Sequence, residues 1–400
     1  MGVTRRVLSL LVLGASLNGC GATEGTGVST TEVNPPVSIT TNTTENGSST
    51  TSTSTSTTLQ SSESDPIDVG PLSPRGGHSV VWTGAEMIVW GGEADETGTT
   101  VYSDGAGYDP EEDAWRPLAP SPLSGRRYHV AVWTGEEMLI FGGVNERDGA
   151  AYRPDTDSWE PLAASPVPLG PSAGAPIEGV TGWVWTGTEM IVWHVPTDLV
   201  ASYNPDTDQW RELPATGLGA DNGVLRWSRE AVYAFGATIE TYPEGNELLV
   251  ARLGDGRWES LASTEFSTET NINAAIPKLT AWAGDRFVAW SNSGQEGKTL
   301  AFQPVGGAWT EIAKVPVPSC EGQGEPVEDG QVIAFGWCGP NAAIFDPNSD
   351  SWNAVTVTGY PTARYTVWAG TELLNWGDTC CYGTGGAPFT VDAWRYEPST

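Results

Sequence analysis

The chain has 400 residues, with 50 acidic against 19 basic side chains and a formal net charge of −31. That balance excludes the phosphate-neutralising role of a nucleic-acid-binding protein and suits an exported soluble domain that repels polyanions while staying open to cations. Histidine (3) and cysteine (5) are scarce, so any metal or thiol chemistry is confined to a few positions.

In chain order, Arg5 and Arg6 precede an apolar run from Val7 to Leu17. This is the layout of an export signal over residues 1–19, and the run is too short to span a bilayer. It ends in Leu17-Asn18-Gly19-Cys20, which resembles the lipobox of bacterial lipoproteins, although Asn18 stands where a small residue is usual. The resemblance implies lipidation of Cys20 and a membrane anchor on the extracytoplasmic side. Thr4–Leu8 also resembles a loose twin-arginine signal. Residues 20–65 are dominated by Thr, Ser, Gly and Pro, including the alternation from Thr51 to Thr57. Such a segment cannot repay the entropy of ordering, and is expected to act as a tether reaching about 35–40 Å.

From Pro66 onward the chain repeats. The unit YDPEEDAW ending at Trp115 returns as YRPDTDSW ending at Trp159, YNPDTDQW ending at Trp210 and FDPNSDSW ending at Trp352. Degenerate copies place tryptophans at Trp258 and Trp309. A second segment precedes each unit: HSVVWTGAEMIVWGG from His78, HVAVWTGEEMLIFGG from His129 and GWVWTGTEMIVWHV from Gly182. Together the two segments make a module of about 45 to 50 residues, the period of a propeller array. Within the first module, His78, Val80 and Trp82 alternate with Ser79 and Val81 as a strand requires. Met87–Trp90 reads as the second strand, the third runs into Tyr108, Asp109–Asp113 is a turn by composition, and Trp115 begins the outer strand.

These features resemble the Kelch repeat: Arg75 and His78, or Arg126 and His129, enter the first strand, a Gly pair follows the second, and Tyr and Trp come at a fixed interval. The resemblance covers residues 66–400 and implies an all-β, seven-bladed Kelch-like propeller. The Gly pair is replaced by His194-Val195, Gly236-Ala237, Gly336-Trp337 and Gly377-Asp378 in later units. The seventh unit stops without an outer strand, and Ile67–Leu72 parallels the segment after Trp115, so an amino-terminal strand is expected to close the last blade and remove its free edge.

Turns between strands one and two and between three and four are short and uniform, which marks one face as scaffold. Connections on the other face are long and dissimilar (91–104, 163–178, 262–278, 313–325 and 377–389), and recognition usually resides in such loops. Cys320, Cys338, Cys380 and Cys381 lie in or beside them. Their even number in an exported domain predicts disulfides, with a metal site disfavoured by the absence of nearby His and of CxxC spacing.

The histidines His78, His129 and His194 fall toward the long-loop face in consecutive blades, where Arg75, Arg127 and Arg364 are also expected. Those six residues form the candidate ligand-binding set, suited to an anionic group that guanidinium can grip bidentately. The competing expectation is that they are repeat-defining residues tied to blade backbones. No catalytic residue, metal site or cofactor is assigned, because no nucleophile elbow or phosphate loop stands out and the acidic turns lack the Ser and Gly of the sialidase Asp boxes. The chain reads as a cell-surface binding lipoprotein recognising a glycan or protein ligand through the long-loop face, with no nucleic-acid partner. The alternative is an extracytoplasmic enzyme, metal-dependent and oxidase-like or glycan-acting, that uses the channel mouth.

Overall fold

The computed structural model describes residues 61–400 except 96, 171–180, 239–245, 268–279, 291–297, 317–321, 327–329, 337–340, 359–364, 378–388, 390 and 398–400. The strands form seven sheets, each built on a meander of four antiparallel neighbours. The innermost strands are Ser79–Trp82, Val130–Trp133, Thr181–Trp185, Asn222–Trp227, Thr280–Ala283, Gly322–Pro326 and Thr366–Trp368. Each lies against the next, and the last lies against the first, so the sheets are the blades of a closed ring.

Second strands explain the apolar runs. Met87–Trp90 and Met138–Phe141 are buried at every position, because both faces of each sheet pack on neighbouring blades and no side of the strand meets water. Outer strands such as Ala114–Pro117 are largely exposed. The cores therefore lie between blades. One cluster joins Met87 and Val89 of blade one to Leu374 and Trp376 of blade seven.

The recurrent Tyr, Asp and Trp form a latch between blades. Tyr108, Tyr152 and Tyr203 donate their phenol O–H to Asp113, Asp157 and Asp208 at 2.7, 2.7 and 2.8 Å. Burial first, and then the facing carboxylate, pushes the Tyr108 phenol up. The three aspartates sit in the left-handed region, with φ of 50°, 45° and 49°, which Asp tolerates better than most residues. Asp157 and Asp208 also accept the backbone N–H of Ala119 and Ala163, both at 2.8 Å. Trp159 and Trp210 return an indole N–H to the carbonyls of those same alanines at 2.9 and 2.8 Å. Each turn thus grips both polar groups of one residue in the exit of the preceding blade. Trp115 and Trp352 donate likewise to Asp68 O and Ala313 O. A further brace runs from Arg116 to Glu86 in its own blade and to the Tyr152 hydroxyl in the next.

The amino terminus closes the ring, at a different register from the one expected. Asp65–Pro66 pairs antiparallel with Trp394 and Arg395 as the outer strand of blade seven, and Ile67 N–H continues the ladder to Ala393 O at 3.1 Å. Residues 68–72 leave the sheet because Gly70 turns left-handed (φ 73°) over the Trp115 ring, where a Cβ would meet indole carbon at 2.6 Å. Ile67 and Leu72 then pack into the core between blades one and seven. Ser61–Glu63, read from composition as the end of the tether, runs parallel to Thr356–Thr358 as a fifth strand of blade six.

Candidate ligand-binding rim

The chain enters each innermost strand from the long-loop face, so the residues just before Ser79 and Val130 define the rim there. Arg75 is wholly buried. Its Nε donates to Ser73 O at 2.9 Å, its Nη1 to Gly91 O at 3.1 Å and to Asp104 Oδ1 at 2.7 Å, and its Nη2 to Asp104 Oδ2 at 3.3 Å. Arg126 repeats the pattern one blade on, with Ser124 O, Gly142 O and both oxygens of Asp148. These guanidinium groups tie the lead-in of the first strand to the ends of the second and third, and present no surface to a ligand.

His78 reaches back to blade seven, its Nε2 3.1 Å from Trp376 O, and stacks on Tyr365 with ring centroids 3.8 Å apart. His129 reaches back to blade one. Its Nε2 shares a hydrogen bond with Ser79 Oγ at 2.8 Å, and Ser79 Oγ also lies 3.4 Å from Trp90 O. Burial, with Arg126 and His78 adding repulsion, holds His129 down to about 3, and the imidazole is neutral at physiological pH. Both rings cover a glycine of the preceding blade. A Cβ on Gly91 would lie 2.8 Å from His129, and one on Gly377 would lie 2.8 Å from His78. In blade three, His194 is itself the last residue of the second strand and binds Thr197 Oγ1 through Nδ1 at 2.6 Å. Burial, then Arg147, lowers its pKa.

Arg127 differs from its neighbour Arg126. It forms an ion pair with Glu93, whose side chain is wholly buried, while its own side chain stays 20% exposed. Glu93 follows the Gly91-Gly92 pair and also accepts the Tyr128 O–H at 2.7 Å. Tyr128 holds a left-handed φ of 54°, an uncommon conformation for a bulky residue, and its N–H donates to Gly77 O. Gly77 N–H in turn donates to the Tyr365 hydroxyl at 2.6 Å. Blades seven, one and two thus meet in one polar cluster. The long loops join it, since Gly76 bridges Glu93 and Phe389 N–H donates to Ala94 O.

Among the described residues, the basic side chains expected at this rim are engaged within the protein rather than lining an open cationic pocket. Arg75 and Arg127 each face a carboxylate, because a guanidinium removed from water must be paired. Arg364 and the four cysteines Cys320, Cys338, Cys380 and Cys381 lie outside the described residues. Among the described residues, no three His, Cys, Asp or Glu side chains are grouped to hold a metal ion. The Gly pair and the Arg-His spacing had pointed to this rim. Glu93, Tyr128 and Tyr365 had not stood out, although Glu93 is an acidic residue directly after the Gly pair, where blade two has Val144.

Comparison with protein-family models and with curated proteins finds no match. Solved structures do match in shape. A fungal alcohol oxidase of the AA5 family, in complex with copper, aligns with a TM-score of 0.55 at 10% identity, covering 82% of this chain and 76% of that one. A virginiamycin B lyase from Staphylococcus aureus, solved with quinupristin, aligns with a TM-score of 0.54 at 10% identity, covering 83% of this chain and 97% of that one. At that identity the likeness speaks for the fold alone, and the chain is a seven-bladed β-propeller.

Proposed function

We propose that the chain is an exported, lipid-anchored binding protein with a Kelch-type propeller, which recognises a glycan or protein ligand through the long-loop face. The observation that carries this reading is the Glu93–Arg127–Tyr128 cluster. A buried carboxylate holds a guanidinium that still meets solvent, beside a non-glycine residue kept in a left-handed conformation. Strain of that kind costs about 1–3 kcal/mol and gathers at functional sites. Arg127 has five N–H donors, more than Glu93 engages, so donors remain for the hydroxyls of a sugar or the carbonyls of a peptide.

The test uses the full chain on glycan and peptide arrays. Arg127→Ala alone would strand the buried Glu93 charge, a loss of about 3–5 kcal/mol, and would confuse unfolding with lost binding. The double variant Glu93→Gln/Arg127→Gln removes both charges, and is expected to melt close to the parent while array binding falls by about tenfold, the worth of one charged hydrogen bond. Undiminished binding in the double variant would move the ligand elsewhere. Stoichiometric copper or zinc in the purified chain would favour the enzymatic alternative. The anchor rests on Cys20, placed directly after Gly19 and the apolar run. Cys20→Ala should leave the membrane fraction, and a parent chain that is already soluble would refute the anchor.

A further inference from the structure

The opposite face carries a feature that the blade scaffold does not require. Trp82, Trp133, Trp185, Trp227, Trp282 and Trp368 stand at one register, each directly across from the first apolar residue of the second strand: Met87, Met138, Met190, Val232, Phe287 and Leu373. Five of them end their innermost strand, and Trp282 stands one residue before the end. Because the innermost strands close a ring, the six indoles surround one mouth of the central channel, on the short-turn side. All six are half-buried, packed at the edge of a core cluster on one side and open on the other.

The tryptophans of the inner and outer strands differ in what surrounds the indole. In the outer strands, Trp115, Trp159, Trp210 and Trp352 donate to backbone carbonyls and serve the latch, while the indole N–H groups of Trp258 and Trp309 are buried with no acceptor among the described residues. For the inner six, no hydrogen-bond partner of the indole N–H is present among the described residues. Trp183, on the same strand face as Trp185, is 41% exposed and extends the aromatic surface along the strand at blade three.

Charge surrounds this ring. The short turns of the same face expose Glu136, Glu230 and Asp285, and the turns before the outer strands expose Glu111, Glu112 and Asp155. Arg153, Arg211 and Arg286 are each held in an ion pair by Glu137, Glu189 and Asp285. Arg229 and Arg257 are exposed on blade four and offset the field there. Indole is the best aromatic partner for a cation, and clefts walled by one sign of charge concentrate the opposite sign.

We infer that this mouth is a second binding surface, independent of the long-loop rim, which takes a basic polypeptide segment. Its ammonium or guanidinium groups lie against the indoles within the acidic surround, and its backbone carbonyls accept from the indole N–H groups. Acidity alone would attract any polycation. Six half-open indoles, whose N–H groups meet no acceptor among the described residues, add a surface that tells a peptide from a small ion.

The probe is acetylated hexalysine amide, titrated into the full chain at about 0.05 M salt, where exposed charges are only partly screened. Saturable binding is expected. Trp133→Leu/Trp185→Leu should weaken it about tenfold through loss of two cation–aromatic contacts, while Trp133→Phe/Trp185→Phe retains most of it. Should the leucine variant fail to fold, oxidative footprinting of the parent chain decides: saturating peptide should protect the six inner tryptophans and leave Trp159 and Trp210 unchanged. Binding that is equal in parent and folded leucine variant, or footprints without selective protection, would reduce the effect to general polyanion attraction and overturn the proposal. A neutral oligosaccharide that binds where hexalysine does not would also overturn it and assign the indoles to sugar.

Discussion

A chain beginning at Arg75 should melt roughly 5–10 °C below one beginning at Ser61, or fail to stay soluble. The truncation removes the outer strand of blade seven together with Ile67 and Leu72, both buried in the core between blades one and seven. Two buried aliphatic side chains are worth about 4 kcal/mol. Lost with them are the acceptors at Asp68 and Val69 that satisfy the indole N–H groups of Trp115 and Trp376, each bond worth about 1 kcal/mol. The third strand of blade seven, Asp392–Tyr396, then becomes an unpaired edge. Calorimetry of the two chains checks this. Coincident melting would mean that blade seven closes without the amino-terminal segment.

Arg126→Ala is expected to cost about 3 kcal/mol, read by chemical denaturation. The guanidinium is buried and donates to Ser124 O, Gly142 O and Asp148, so its removal orphans buried carbonyls and opens a void. Asp148 itself is half exposed and regains water when the arginine is lost. Asp148→Asn keeps the carbonyl contacts but leaves the buried guanidinium without its counter-charge, so it should also cost about 3–5 kcal/mol. Arg126 lowers the Asp148 pKa through its hydrogen bonds. Whatever the pair contributes is accordingly present above the ordinary aspartate pKa and fades as pH falls through the depressed one. A loss below about 1 kcal/mol in Asp148→Asn would show that the carbonyl net, not the ion pair, holds the lead-in.

The blade plan was legible because it is enforced twice, by period and by burial. Met87–Trp90 reads as a strand since both its faces are covered, and Tyr, Asp and Trp recur since each makes the same bond in several blades. The closing strand was legible in kind but not in register. Ile67 and Leu72 look like strand positions, but their burial comes from plugging a gap between blades, while the pairing falls on Asp65 and Pro66, which carry no strand-forming side chains. The rim was harder still. Arg126 and Arg127 are adjacent and chemically alike, yet one is spent on its own blade and the other meets solvent. Only the position of Glu93 separates them, and an acidic residue after a Gly pair reads as ordinary loop. Three of the inner tryptophans, Trp82, Trp133 and Trp185, were visible in a repeated Val-Trp-Thr-Gly, but the sequence does not reveal which indole N–H groups find an acceptor.

Amide hydrogen exchange tests most directly the claim that the ring is closed by its own amino-terminal segment. The Ile67 N–H, which donates to Ala393 O, should exchange as slowly as the amides of Leu373–Gly377 in the same blade, because it can open only when the ladder of blade seven does. Exchange of Ile67 at the rate of an unstructured peptide, while Leu373–Gly377 stay protected, would contradict the closure.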